Sequence, residues 1–441
     1  MGSSPAPRTK EFKLNKNLSI FLYAQVLSSF GYNLLFSAIN FYALDLTGSP
    51  IRFANVMLLG ILSKAIFLQF AGMISDTFDK KRTFILIDIF YIILSLLLLL
   101  GSFNDSFGYL MLIMASFAIN AIRSISQPVT KTLIPAIVED KSLLKANSYE
   151  VSNDKLGRIF GPSVALALQA LFGFRATLIF SLSIYVLTFY LKRKLVINVE
   201  KMSYNSTSFR DILQKFRDGF AITFSNKSIF ILLVNAILTQ IFFHSFIYTA
   251  LPSMLHGLNE ADLVTIKGVL SFVNMTHAGI WKTLNSWIQL GGAIGVLLSI
   301  FVISRNRDVN ERKGLSWGNF GISLFGLLFS ASIILFKYFN LSTLTLVNLL
   351  FLSNVGLVFC FNIFTIFFSL YYQRRIDKGK LGRFAANFMF LFAISSLAGT
   401  GIYGISSTYG WHYSTVILVV GSILKFLVHL IFLFTESRIN E

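Results

Sequence analysis

The chain has 441 residues, 55% of them hydrophobic and only 13% charged, with a mean hydropathy of +0.69. A soluble domain carries about 25% charged residues, so a water-soluble globular fold is excluded; seven prolines and one cysteine likewise exclude a proline-rich linker protein and a disulfide scaffold. The net charge of +18 is dispersed among long apolar runs, which orients a chain against anionic headgroups and argues against a nucleic-acid partner.

A helix needs about 20 apolar residues to cross the hydrocarbon core. Met1 to Pro7 read as unstructured, and residues 1–16 as a cytoplasmic tail. No cleavable signal peptide is legible, because the first apolar run is too long and ends in no small-residue cleavage site. That run, about Asn17 to Leu44, has no charge and stops at Asp45-Leu46-Thr47-Gly48-Ser49-Pro50. The second, about Ile51 to Ile74, is interrupted by Lys64. Four more follow at about Thr83 to Gly101, Phe107 to Thr130, Ser148 to Leu171 and Arg175 to Leu191.

A polar segment with eight bases, Lys192 to Lys227, then breaks the pattern. Within it Phe209, Ile212, Leu213 and Phe216 follow helical spacing, which predicts a short helix lying on the inner leaflet. Six further runs cover about Ser228 to Pro252, Thr276 to Ser304, Gly314 to Phe336, Leu341 to Tyr372, Leu381 to Ser407 and Trp411 to Phe434. The long connection from Ser253 to Met275 is expected to form a short cap. The expected fold is an all-α integral membrane protein with twelve transmembrane helices in two six-helix bundles, 17–191 and 228–435. The linker 192–227 joins them and a tail, 436–441, ends the chain.

Charge placement supports that count. With the N-terminus inside, the outer loops hold Arg52, Arg175, Lys267 and Lys337, and the spans hold Lys64, Arg123, Arg158, Lys282 and Lys425. The other 29 of the 38 Lys and Arg fall on the cytoplasmic side, as the positive-inside rule requires. A missed span would invert every later loop.

The loop Gly72-Met73-Ile74-Ser75-Asp76-Thr77-Phe78-Asp79-Lys80-Lys81-Arg82 combines glycine, two acids and three consecutive bases. Gly72, Asp76, Lys80 and Lys81 resemble the loop signature between helices two and three of the major facilitator superfamily. Thr77 stands where that family usually has Arg, and Asp79 where it has a second Gly. Asp45-Leu46-Thr47-Gly48-Ser49 resembles the end of helix one in its macrolide-efflux and siderophore-export members. Arg123 with Gln127-Pro128 resembles its fourth-helix motif, and Gly157-Arg158-Ile159-Phe160-Gly161-Pro162 its fifth-helix element; Pro252 ending helix seven and Leu381-Gly382-Arg383 before helix eleven fit the same subgroup. The loop Arg305 to Lys313 keeps bases but lacks the Gly and Asp of a second signature copy.

The resemblance implies alternating access, with two halves rocking about a midplane site. Gly72, Asp76, Lys80, Lys81, Arg158, Gly382 and Arg383 are then gating residues, with Asp76 placed to cap the N-terminus of helix eleven; the alternative is that Asp76 only balances Lys80 and Lys81.

Several polar residues share helical faces. Helix one carries Gln25, Ser29, Asn33 and Asn40, helix four Asn120, Arg123 and Gln127, and helix eight Lys282, Asn285 and Gln289. Such stripes face the bundle interior, because a lipid-exposed Arg or Lys costs about 2.5–3.5 kcal/mol at the helix centre. The amides serve either as interhelical glue or as substrate contacts. Arg123 and Lys64 are read as cavity residues. Gln240, His244 and Tyr248 recur every four residues; His244 is either a proton relay or a hydrogen-bonded structural residue. Asp154 and Arg158 are spaced to pair.

Apart from Asp45, Asp88, Asp154 and, at the start of the fifth run, Glu150, the spans contain no acid, so Lys64, Arg123, Lys282 and Arg158 are expected to face an interior with few partners. That favours an anionic, zwitterionic or neutral amphipathic substrate. Asp45, His244 and Lys64 are the candidate proton carriers. No metal-ligand cluster, catalytic triad or phosphate-binding loop is legible, and no cofactor is expected. The reading is a secondary exporter of a small organic molecule, a siderophore, metallophore or antibiotic-like compound, by proton antiport in a bacterial cytoplasmic membrane with both termini inside. The alternatives are a lipid or lysolipid translocator and, from another class, a membrane-embedded enzyme or channel.

Overall fold

The computed structural model describes residues 16–77, 79–104, 108–137, 140–196, 226–259, 262–269, 276–305, 310–376 and 378–438. Among them all regular structure is helical. The first helices are α1 (Lys16–Thr47), α2 (Pro50–Thr77), α3 (Lys80–Gly101) and α4 (Tyr109–Ile137). The run Asp140–Arg193 would be about 80 Å long as one helix, too long for a single crossing. It breaks at Gly173, whose φ of 80° and ψ of 178° leave helical space, giving α5 (140–172) and α6 (174–193).

The second half comprises α7 (Lys227–His256), α8 (His277–Arg305), α9 (Glu311–Tyr338), α10 (Thr343–Arg375), α11 (Lys378–Tyr409) and α12 (Trp411–Arg438). The expected count of twelve holds, with helix ends a turn or so beyond the apolar runs. Only a short helix, Val264–Val269, occupies the described part of the connection before α8. The linker segment around 209–217 lies outside the described residues.

Each half packs around its own apolar core. One cluster joins Leu34, Leu35, Ile87, Leu112 and Tyr185 of the first half, and a second is centred on the helices of the other half. In the first half α1 lies closest on the α5 segment. Any β-carbon at Gly157 would sit 2.7 Å from the Phe30 backbone nitrogen, and one at Gly161 2.6 Å from the Asn33 β-carbon. Glycine at both positions is what lets α5 ride on the polar face of α1.

Two helix pairs carry most of the contact between halves: α5 with α8, and α2 with α11. Outward-turned side chains such as Phe90, Phe103, Phe301 and Phe434 are exposed, as expected of lipid-facing phenylalanine. Cys360 is buried, against the position of Gly321, and belongs to the core.

Candidate functional site

At the end of the molecule that the charge reading places outside, the Asp45–Ser49 stretch folds as its composition dictates. Gly48, at φ 58°, ends α1 and its N–H donates to Leu44 O at 2.8 Å. Only a residue free of a β-carbon takes that conformation without strain. The Ser49 hydroxyl then accepts from Arg52 N at 3.5 Å, at the start of α2. The turn leaves Asp45 pointing across to the other half. Its carboxylate forms an ion pair with Lys282 of α8 and accepts from Trp281 Nε1 at 3.1 Å.

Trp281 is fully buried and meets Phe41 edge-on at 6.1 Å and His256 at 5.6 Å. Thr249 of α7 faces Met57 Sδ of α2 at 3.8 Å. Ala54 lies so close to Gly404 of α11 that a β-carbon there would meet its own at 2.3 Å. Lys282 therefore has a carboxylate partner that the sequence reading did not give it. Together these contacts close one end of the interface between halves.

Deeper in, a basic cluster spans the interface. Lys64 of α2 is half-buried and Arg158 of α5 is exposed. Both lie within electrostatic reach of His244 on α7, and Arg158 also of Tyr248. His244 Nδ1 is 3.1 Å from Gln240 Nε2, and its ring is 4.5 Å from the Tyr248 ring. Gln240, His244 and Tyr248 share one face through their four-residue spacing, in a stretch of α7 wound as two π turns, Thr239–His244 and Phe246–Ala250.

Arg123 lies elsewhere. It is 4% exposed, sits over the Tyr32 ring at 4.8 Å and reaches Ser29 Oγ at 3.4 Å. Tyr32 donates to Asn120 Oδ1 at 2.7 Å, and Thr130 donates to Gln25 Oε1 at 3.5 Å. The structure thus joins Gln25, Asn120 and Arg123 into the wall between α1 and α4 rather than leaving Arg123 open in a cavity beside Lys64. Asn33 is half-buried beside this wall and donates to Ser29 O at 2.8 Å.

Two buried lysines were missed as site residues. Lys192, read from sequence as linker, pairs with Asp88 at 2.6 Å, both fully buried. Lys425 of α12 is fully buried among amides and a hydroxyl. A lysine inside an apolar run was the available signal for the second, and an acid inside a span for the first.

Of the residues assigned to gating, Lys81 is half-buried. The side chains of Gly72, Asp76, Lys80, Gly382 and Arg383, together with Gln127 and Asp154, lie outside the described part. Among the described residues no group of three or more His, Cys, Asp or Glu is placed to hold a metal.

Two six-helix halves, joined along paired helices and held together at one end by a buried polar contact, define a polytopic membrane protein. A family model described as the Major Facilitator Superfamily matches residues 21–400, and the chain belongs to that family. Macrolide efflux protein A of Streptococcus pyogenes is 23% identical over 211 residues, 48% of this chain and 52% of that protein; the same protein from the serotype M6 strain matches equally. The chain thus aligns with about half the length of these curated relatives. Among solved structures, a bacterial homologue of the iron transporter ferroportin in an inward-facing state superposes with a TM-score of 0.66 at 15% identity, covering 95% of this chain and 99% of that one. The nucleoside transporter NupG gives 0.65 at 13%, covering 95% and 98%. At such identities the likeness is one of fold.

Proposed function

We propose that the protein is a secondary exporter working by alternating access and driven by proton antiport, with a small organic anion or zwitterion as cargo. The observation carrying this reading is the cluster between halves: Lys64 and Arg158 from one side, and His244 with Gln240 and Tyr248 from the other. Two cations facing a neutral polar helix attract a carboxylate-bearing molecule and repel a cation. Exposure selects who touches cargo: Arg158, Lys64 and Asn33 are open or half-open, whereas Arg123 braces the wall behind Tyr32. The Asp45–Lys282–Trp281 contact closes the outer side, so the cluster faces inward in this state. The curated relatives named for macrolide efflux support the outward direction.

The test is a screen in proteoliposomes under an imposed pH gradient, comparing a carboxylate-bearing siderophore, a macrolide and a permanently cationic dye. Saturable export of the acid, lost in Arg158→Ala and weakened in Lys64→Ala, is the expected result. Robust export of the dye, untouched by both substitutions, would overturn the reading.

A further inference from the structure

The two buried lysines meet partners at matching places. Asp88 lies eight residues after Lys80, the first residue of α3, and Asn319 eight after Glu311, the first of α9. Ser28 lies twelve residues into α1 from Lys16, and Thr239 twelve into α7 from Lys227. Each half thus holds a lysine of its last helix against the same positions of its first and third helices. Lys192 donates to Ser28 Oγ at 3.1 Å and to Asp88 at 2.6 Å. Lys425 Nζ donates to Thr239 Oγ1 at 2.7 Å, Asn319 Oδ1 at 3.0 Å, Asn235 O at 3.3 Å and Asn235 Oδ1.

One difference separates them. Asn319 stands where the first half has Asp88, so the second ammonium has no carboxylate among its described partners. α7 offers it Asn235 and Thr239, α9 offers Asn319, and α10 the Phe364 ring at 5.1 Å. The titratable neighbour is His429, one turn along its own helix; its Nε2 is 3.3 Å from Ser316 Oγ, and its buried Nδ1 is without a partner.

An amine paired with a carboxylate cannot lose its proton without leaving a buried anion alone, which is costly. An amine caged by amides has no such constraint. Asn235 Nδ2 and Asn319 Nδ2 are buried and unsatisfied. Turning either amide about its last torsion would present an N–H to the lone pair of a neutral amine. The cage therefore suits both states of Lys425, whereas the Asp88 site suits only the charged one.

The cage also has a mechanical output. Asn235 and Thr239 border the first π turn of α7, which carries Gln240 and His244 into the cluster between halves. The same helix runs on to His256, packed on the gate residue Trp281.

We propose that Lys425, within the Asn235–Thr239–Asn319 cage, is the proton-binding site of the antiporter, its occupancy setting the posture of α7. The proposal rests on the proton-antiport reading above and names the carrier. His429, a turn away, is placed to pass the proton along.

The test needs no cargo. Spin labels at Ile51→Cys and Tyr409→Cys, with Cys360→Ser, report the separation of the outer ends of α2 and α11 in nanodiscs between pH 6 and 9. The unmodified cage is expected to give a pH-dependent change in the distance distribution, and Lys425→Met to abolish it. Asn319→Asp restores a carboxylate and should move the midpoint upward by about one pH unit or more. This second variant guards against misfolding in the first.

A response that persists unchanged in both variants would place the proton elsewhere and leave antiport standing. So would a pH-insensitive distance in the unmodified protein combined with pH-driven export in the cargo screen. Failure of that screen alone would remove the export reading, while a Lys425-dependent pH response would still support the proton site.

Discussion

The two halves each bury a lysine on their last helix and satisfy it by different chemistry. In the first half Lys192 and Asp88 form a buried ion pair that Ser28 joins, with Phe84 beneath the ammonium at 3.9 Å. In the second, Lys425 is held by neutral oxygens alone among the described residues. Two charges that neutralise each other in low dielectric make a rigid joint, because separating or discharging either is costly. A cation held by neutral oxygens leaves no buried anion behind when it is discharged. The same architecture thus gives one half a fixed strut and the other an adjustable one.

The largest expected effect comes from breaking the strut. Asp88→Ala leaves Lys192 charged and unpaired in the core and should cost about 3–5 kcal/mol, read as loss of a monodisperse, folded fraction on heating in detergent. Asp88→Leu combined with Lys192→Met should recover most of that loss; if the double variant is as unstable as the single, the pair is not what holds α3 to α6. Asn319→Ala removes only one of four acceptors around Lys425 and should cost about 1–3 kcal/mol. Equal losses for Asp88→Ala and Asn319→Ala would erase the contrast between halves.

The gate gives a third, intermediate effect, between the halves rather than within one. Asp45→Asn keeps the hydrogen bond from Trp281 but removes the charge opposite Lys282. The outer ends of α1 and α8 should then sample an open state more often, seen as a second, longer distance between labels there. A distribution unchanged by Asp45→Asn would mean that Trp281 and Phe41 close the gate unaided. The smallest effect concerns helix caps at matching positions. Asp79 caps α3 through Arg82 N at 2.7 Å, and Asn310 caps α9 through Arg312 N at 2.9 Å. Replacing either with Ala should cost about 1 kcal/mol by thermal unfolding, and the two losses should be alike.

Much of the fold was legible because hydropathy alone specifies membrane spans. Even the division of 140–193 was legible, as two apolar runs ending at Leu171 and starting at Arg175 on either side of the break at Gly173. The pairings were not legible. Asp45 and Trp281 are 236 residues apart in sequence, and no local pattern says which acid meets which base across an interface. Lys192 was assigned to the linker because it follows an apolar run, yet the run's last turn is drawn inward by Asp88. Arg123 was rightly placed on the interior face of α4 by its spacing with Asn120. Its screening by Tyr32 depends on a rotamer that sequence does not carry.

The π turns of α7 have a consequence for chain length. A π turn closes its hydrogen-bonded ring over one residue more than an α turn, so 239–250 stores slack between two held points, Asn235 at Lys425 and His256 at Trp281. Taking up one surplus residue as α-helix would rotate everything beyond it by about 100° and shift it about 1.5 Å along the axis. The middle of α7 is in this sense a spring wound by insertion, and deleting a single residue between Thr239 and Ala250 would unwind it permanently into one register.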